Sequence, residues 1–279
     1  PSVSKTTASQ FLSIFRNLFD HPIQPMLHTL KNPEALRKAF SLTAPVDGPV
    51  PVKLLFVPPH LTESNRDQFI RAYSSIYGLK FEVVVVVEDV AKVLEKRISM
   101  PDFEEILSVF GPVGMHDGVR NEFADEDDDL YVDNGGVHDN MAIFHQLPFL
   151  QASIDEFQVV SVQIHDNERP SIIKELAYVI EEILGERAAL IVFCCDLDAI
   201  EQEAFQRLME YVDNQDTSNL FNSLNSGAIP MKGRCPFITG MLVAKSWNLG
   251  ISFETLPAEA GGNSLVCGTA SFALRTANA

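Results

Sequence analysis

Seven histidines and four cysteines give this 279-residue chain its widest choice of chemistry. His60 follows Pro58-Pro59, directly after an apolar run that ends at Val57. If that run is a strand of an α/β sheet, His60 lies at its carboxyl end, where such folds bind ligands. Asp196 holds the matching place after the run ending in Cys194 and Cys195, although an Asp there serves equally as a helix N-cap. His138 and His145 share a helical face only if one helix runs unbroken between them. The cysteines (Cys194, Cys195, Cys235, Cys267) contain no CxxC pair, Cys194 and Cys195 close an apolar run where buried free thiols are expected, and a reducing compartment, cytoplasm or organelle matrix, fits best. No Walker loop, GxGxxG, GxSxG or HExxH occurs.

The segment 122–133 carries seven acids. The spacing of Asp125, Asp127 and Asp129 invites a calcium-loop reading, but such a loop wants Gly at its sixth position and Glu at its twelfth. Here those places hold Leu130 and Gly136, so the expectation is a solvated, mobile acidic loop.

Thirty-eight acids against 21 bases give a net charge of −17, a field that repels phosphate backbones and argues against a nucleic-acid partner. The composition, 46% hydrophobic and 21% charged, is that of a globular protein with one large core. The longest apolar runs fall well short of the roughly 20 residues that cross a bilayer.

Elements that could position these residues follow from periodicity. Runs at 53–57, 81–87, 157–164 and 188–194 are short, β-branched and apolar throughout, the pattern of strands buried on both faces. Between the first two, 62–77 places Phe69, Ala72, Tyr73 and Ile76 on one helical face. Between the last two, Pro170 suits a first helical turn and Gly185 an end. Helices are expected near 200–212 and 236–247, and strands at 251–256 and 265–274 around Gly261-Gly262. This order predicts a single α/β domain with a central mixed sheet flanked by helices.

From about Pro51 onward the layout resembles the Memo-like family, relatives of the class III extradiol dioxygenases. The resemblance rests on Pro59-His60 after the first strand and on Ile143 with Gln146-Leu147-Pro148-Phe149-Leu150, similar to the end of the family's Glu-His-Ser-Ile-Glu-x-x-Leu-Pro-Phe-Leu segment. It rests also on 188–196 against a strand ending in Ser-Ser-Asp, and on Ala199-Ile200-Glu201 opening the next helix. Gly233-Arg234 with Pro236 is similar to a Cys-Gly-Arg-x-Pro turn, and 264–274 to the closing strand.

The family pocket implies two histidines and a cysteine around a metal, with a Glu-His pair and a further histidine nearby. Of these His60 is kept. The second histidine's place reads Val87-Glu88-Asp89-Val90, the cysteine's place is Lys232 with Cys235 three residues on, and the Glu-His-Ser-Ile-Glu stretch is Asn140-Met141-Ala142-Ile143-Phe144. A non-heme metal centre needs about three convergent ligands. The resemblance therefore implies a vestigial pocket of His60, Asp196, Lys232, Arg234 and Cys235, with no catalytic residue, metal or cofactor. The expected role is a structural or protein-binding subunit, possibly of a larger assembly. The rival is a metal-dependent oxidoreductase with rearranged ligands drawn from His60, Glu88, Asp196 and Cys235. A third reading is a metal-free pocket that holds a small acid through Lys232 and Arg234, set against Arg234 merely tying the turn to the sheet.

Residues 1–50 match the family poorly and are expected to form a helical extension before a Memo-like domain over 51–279. Phe11, Leu12, Ile14, Phe15, Leu18 and Phe19 make an apolar face suited to docking, while the acid-free, Ser- and Thr-containing first 19 residues also have the flavour of a transit segment, mitochondrial included. The acidic loop and Trp247 are further expected contact surfaces.

Overall fold

The computed structural model describes residue 30 and residues 32–43, 52–197, 202–257 and 263–272. Within them an eight-stranded mixed sheet is formed by β1 (Val52–Val57), β2 (Val83–Val90), β3 (Ile98–Met100), β6 (Leu130–Val132), β7 (Gln158–His165), β8 (Ala189–Cys194), β11 (Leu249–Pro257) and β12 (Asn263–Phe272). Their order is β11-β12-β1-β8-β2-β7-β3-β6. The four central strands β1, β8, β2 and β7 are parallel, and β12 and β3 close the two sides antiparallel. Two small antiparallel pairs join β4 (Glu105–Ser108) to β5 (Gly111–Gly114) and β9 (Asp196–Leu197) to β10 (Met231–Lys232).

The continuous valines of β2 make sense in this setting. Val83, Val85 and Val87 enter one core and Val84 and Val86 the other, so alternation serves two apolar faces. The first core packs α3 (Asp117–Glu126), α5 (Pro170–Leu184), α6 (Gln202–Asp213), α7 (Thr217–Asn225) and α8 (Arg234–Ser246) on the sheet. The second packs α1 (Pro33–Thr43), α2 (Arg66–Ser74) and α4 (Ala142–Ser153). The expected architecture, one α/β domain with a helix-flanked mixed sheet, is present.

Several expectations change. Helix α1 falls before the expected boundary at residue 50, yet Leu36 and Phe40 are buried and Phe40 meets the rings of Tyr77 and Phe149. Burial of an aromatic of this size stabilises by about 2 kcal/mol, so this helix is a working part of the second core. The N-terminal helix expected around residues 11–19, Ala199-Ile200-Glu201 and the Gly261-Gly262 loop lie outside the described residues, as does the side chain of Cys267.

The acidic segment is not one open loop. It is the end of α3, a turn in which Asp129 N–H donates to Asp127 Oδ1 at 2.8 Å, and then β6, which pairs with β3. Trp247, expected as an exposed aromatic, is partly buried against the first core at the C-cap of α8.

Candidate functional site

The carboxyl ends of β1, β2 and β8 meet at one edge of the sheet, and the loops that leave them are held by named side chains. After β1, the carbonyls of Pro58 and Pro59 each accept from Gln146 Nε2 at 3.0 Å, while Gln146 Oε1 accepts from Tyr73 Oη at 2.7 Å. Asn65 Nδ2 donates to the His60 carbonyl at 2.9 Å. Helices α2 and α4 thus fix the backbone that carries His60.

The His60 ring lies 5.1 Å from that of His145, centroid to centroid, with Asn140 bridging them. Leu61 N–H donates to His145 Nδ1 at 3.2 Å, so that nitrogen is an acceptor and the ring's proton sits on Nε2. Nε2–H then donates to Asn140 Oδ1 at 3.2 Å, which turns the amide so that Nδ2 donates to His60 Nε2 at 3.3 Å. Every proton in the relay follows from one backbone N–H. Burial, followed by the charges of His138 and Lys232, lowers the His60 pKa to about 4. Burial and the neighbouring His60 lower that of His145 to about 3. Both rings are neutral near pH 7.

Glu88, near the carboxyl end of β2, is buried on the same face. Its Oε2 accepts from Ala142 N–H at 2.6 Å, so a strand carboxyl caps the start of α4, whose own N-cap residue Met141 offers none. Burial raises its pKa to about 8 against the opposing hydrogen bonds from Ala142 and Gln163. His138 precedes α4, so it and His145 share no unbroken helix. His138 Nε2 instead comes within 3.8 Å of Glu88 Oε2, while His145 faces His60 and Asn140.

Asp89 takes the opposite face, beside Gly233 and Arg234, with its pKa raised to about 6 by burial and the Asp166 charge. Gly233 has φ 72°, and a Cβ there would collide with the Cys194 carbonyl and Cys195 Cα, so only glycine fits this turn. Arg234 is committed to structure: Nε donates to the Asp166 carbonyl at 2.7 Å, Nη1 to Asn225 Oδ1 at 2.6 Å and Nη2 to Asn167 Oδ1 at 2.5 Å. The small-acid reading through Lys232 and Arg234 therefore loses its guanidinium.

The residues expected in a vestigial pocket divide between the two faces. His60 belongs to the face with Glu88, His138 and His145. Cys235 lies on the Arg234 side, with its thiol 3.5 Å from the Asp166 carbonyl and its pKa pushed to about 12 by burial. Asp196 and Lys232 pair across the short β9–β10 ladder. The rearranged ligand set His60, Glu88, Asp196 and Cys235 is not brought together among the described residues with its ligand atoms within 4.8 Å of one another. Among the described residues a single group brings three or more ligand atoms within 4.8 Å of one another, and it is Asp127, Asp129 and Glu175, partly buried and far along the sequence from these four. Asn140 and Gln146 were not expected as site residues. Their signal is their place beside His138 and His145 in a segment that folds over the Pro58-Pro59 loop.

The family profile described as Memo-like protein matches residues 30–259. The chain belongs to the Memo-like family. Among solved structures, this Memo-like chain is similar to an uncharacterized protein of Escherichia coli K12, with a TM-score of 0.54 and 13% identity, covering 78% of this chain and 99% of that one. At that identity the likeness is one of fold. No curated protein matches the sequence.

Proposed function

We propose that this Memo-like domain is a non-catalytic structural or protein-binding module. The observation that carries the reading is the way the polar groups at the strand ends bond to one another. His60 and His145 are joined in a neutral relay through Asn140, and Glu88 caps α4. Groups arranged to bond each other give rigidity, and among the described residues no group of three or more metal-ligating side chains includes them.

The partner we propose is a protein, engaged through the apolar sequence face of residues 11–19. The −17 charge makes nucleic acid a poor partner. Among the described residues no helix is long and apolar enough to cross a membrane. Cys194, Cys195 and Cys235 are free and buried, which suits a reducing compartment, cytoplasm or organelle matrix.

Elemental analysis of protein purified without chelators tests the reading, with a parallel sample lacking residues 1–20. The expected result is far less than one transition metal per chain, and loss of self- or partner association on size exclusion for the truncated form. About one iron, copper or zinc per chain, lost in His60→Ala, would establish the rearranged oxidoreductase instead.

A further inference from the structure

The eight-stranded sheet ends in two edges that differ in kind. An edge strand leaves a row of backbone N–H and C=O groups able to pair with another chain, and folded proteins ordinarily blunt it with a short strand, charge or proline. The β6 edge is blunted, having three residues set between Asp129 and Asp133. The β11 edge is nine residues long, carries no lysine or arginine, and has its proline only at the last position. Among the described residues β11 pairs with β12 alone.

This edge is firmly placed. Leu249 is buried, and the Phe253 ring lies 5.4 Å from that of Phe56 and 5.9 Å from that of Phe237. Gln215 Nε2 donates to the Leu249 carbonyl at 3.4 Å at the start of the strand, and the pairing with β12 shifts register between Glu254 and Thr255. Between these limits Gly250 and Ser252 are exposed, and no charged residue lies between Lys245 and Glu254. In a chain of net charge −17, such a neutral run lets two like-charged molecules approach.

We propose that two copies of this chain pair β11 with β11 antiparallel, about a two-fold axis near Ile251, so that their sheets join into one. A second copy fits because an antiparallel ladder of one strand with itself is self-complementary. With Ile251 on the axis, Leu249 faces Phe253 and Gly250 faces Ser252 of the other copy, and no like charges are opposed. The pairing goes beyond the partner surface proposed for residues 11–19 and does not rest on it.

Sedimentation equilibrium of the full chain between about 1 and 100 μM tests it. The expected result is a monomer–dimer equilibrium. Ser252→Asp and Ser252→Lys should each weaken it by about tenfold or more, because like charges then meet across the axis. Ser252 is exposed, so neither change should disturb folding, and mixing the two variants in equal amounts should restore the dimer. A wild-type chain that stays monomeric, a dimer indifferent to both variants, or a mixture that remains monomeric overturns the proposal. A dimer lost on removal of residues 1–20 belongs to the apolar sequence face of residues 11–19 and overturns this pairing alone. Hydrogen exchange distinguishes the last occupant: protection of the 250–253 amides that rises with concentration supports the pairing, whereas protection independent of concentration means that another segment of the same chain covers β11, and overturns it.

Discussion

Two polar clusters in this chain draw on similar residues and reach opposite electrostatic states. At the strand ends, His145 and Glu88 are buried, His60 is half-buried, and all three are neutral, with hydrogen bonds directed at one another or at a helix start. At the corner between α3 and α5, Asp127, Asp129 and Glu175 lie together near the surface, and Glu175 has its pKa raised first by burial and then by Asp129 and Asp127. Burial makes polar groups choose partners and give up charge, while water lets like charges crowd at small cost. The first cluster therefore holds the fold together. The second is tolerated by it.

The largest expected effect comes from the first cluster. Glu88→Ala leaves Ala142 N–H buried without an acceptor and the start of α4 uncapped, a loss of about 3 kcal/mol in urea unfolding at pH 7. Glu88→Gln keeps the shape, and its pH dependence is more informative. The native carboxyl has its pKa raised to about 8, above its unfolded value. Between about pH 4.5 and 8 the unfolded state has therefore lost a proton that the native state keeps, and wild-type stability falls as pH rises. Glu88→Gln has no such proton, so its stability should gain on wild type across that window, by a few kcal/mol, and level off above pH 8. A difference independent of pH would mean that Glu88 is ionised in the native protein, and the contrast between the clusters would collapse.

Next in size is Asn140→Ala, which leaves His145 Nε2–H and His60 Nε2 unpaired and should cost about 1–3 kcal/mol. The two imidazoles have lowered pKa values, so the sign is opposite to that of Glu88. As pH falls below about 6.5 the unfolded rings take up protons that the native rings refuse until about pH 4 and 3, and this part of the stability is lost toward acid. A cost below about 0.5 kcal/mol would show that water replaces the amide and that the relay is not structural.

The legible and illegible parts of this arrangement differ for a physical reason. The strands that carry Val57, Val87 and Cys194 could be read because burial on both faces demands unbroken apolar runs, and His60 could be placed because it follows one of them. Helix α4 gave only a motif, since it is buried nearly all round and shows no amphipathic period. The three-residue strands β3 and β6 are too short for any period. The role of Glu88 was hidden because its partner, Ala142 N–H, lies 54 residues away and belongs to the backbone. Likewise Asn140 reads as a lost carboxylate in sequence and acts as a bridge in space. Pairing between distant polar groups leaves no local pattern.

The smallest effect belongs to the acidic corner. Glu175→Gln removes one of three crowded carboxylates, so it should stabilise the fold, but by no more than about 0.5 kcal/mol because the group is partly exposed and salt screens it. The sign comes from the raised pKa of Glu175, whose ionisation in the native state is opposed by Asp129 and Asp127 and helped by Arg169. Raising the salt concentration should shrink the gain further. Calcium is the sharper probe. The sequence lacks the loop glycine and the twelfth-position glutamate, and α5 supplies Glu175 as a third carboxylate that no loop motif contains. Three carboxylates contributed by a turn and a helix, outside any calcium-loop pattern, should bind calcium only in the millimolar range, as a loose cluster does. Calorimetry that finds a micromolar, saturable site abolished by Asp127→Asn and Asp129→Asn would reverse this ranking. The corner would then be a built site, and crowding of like charge there would be the mark of a cation it normally holds.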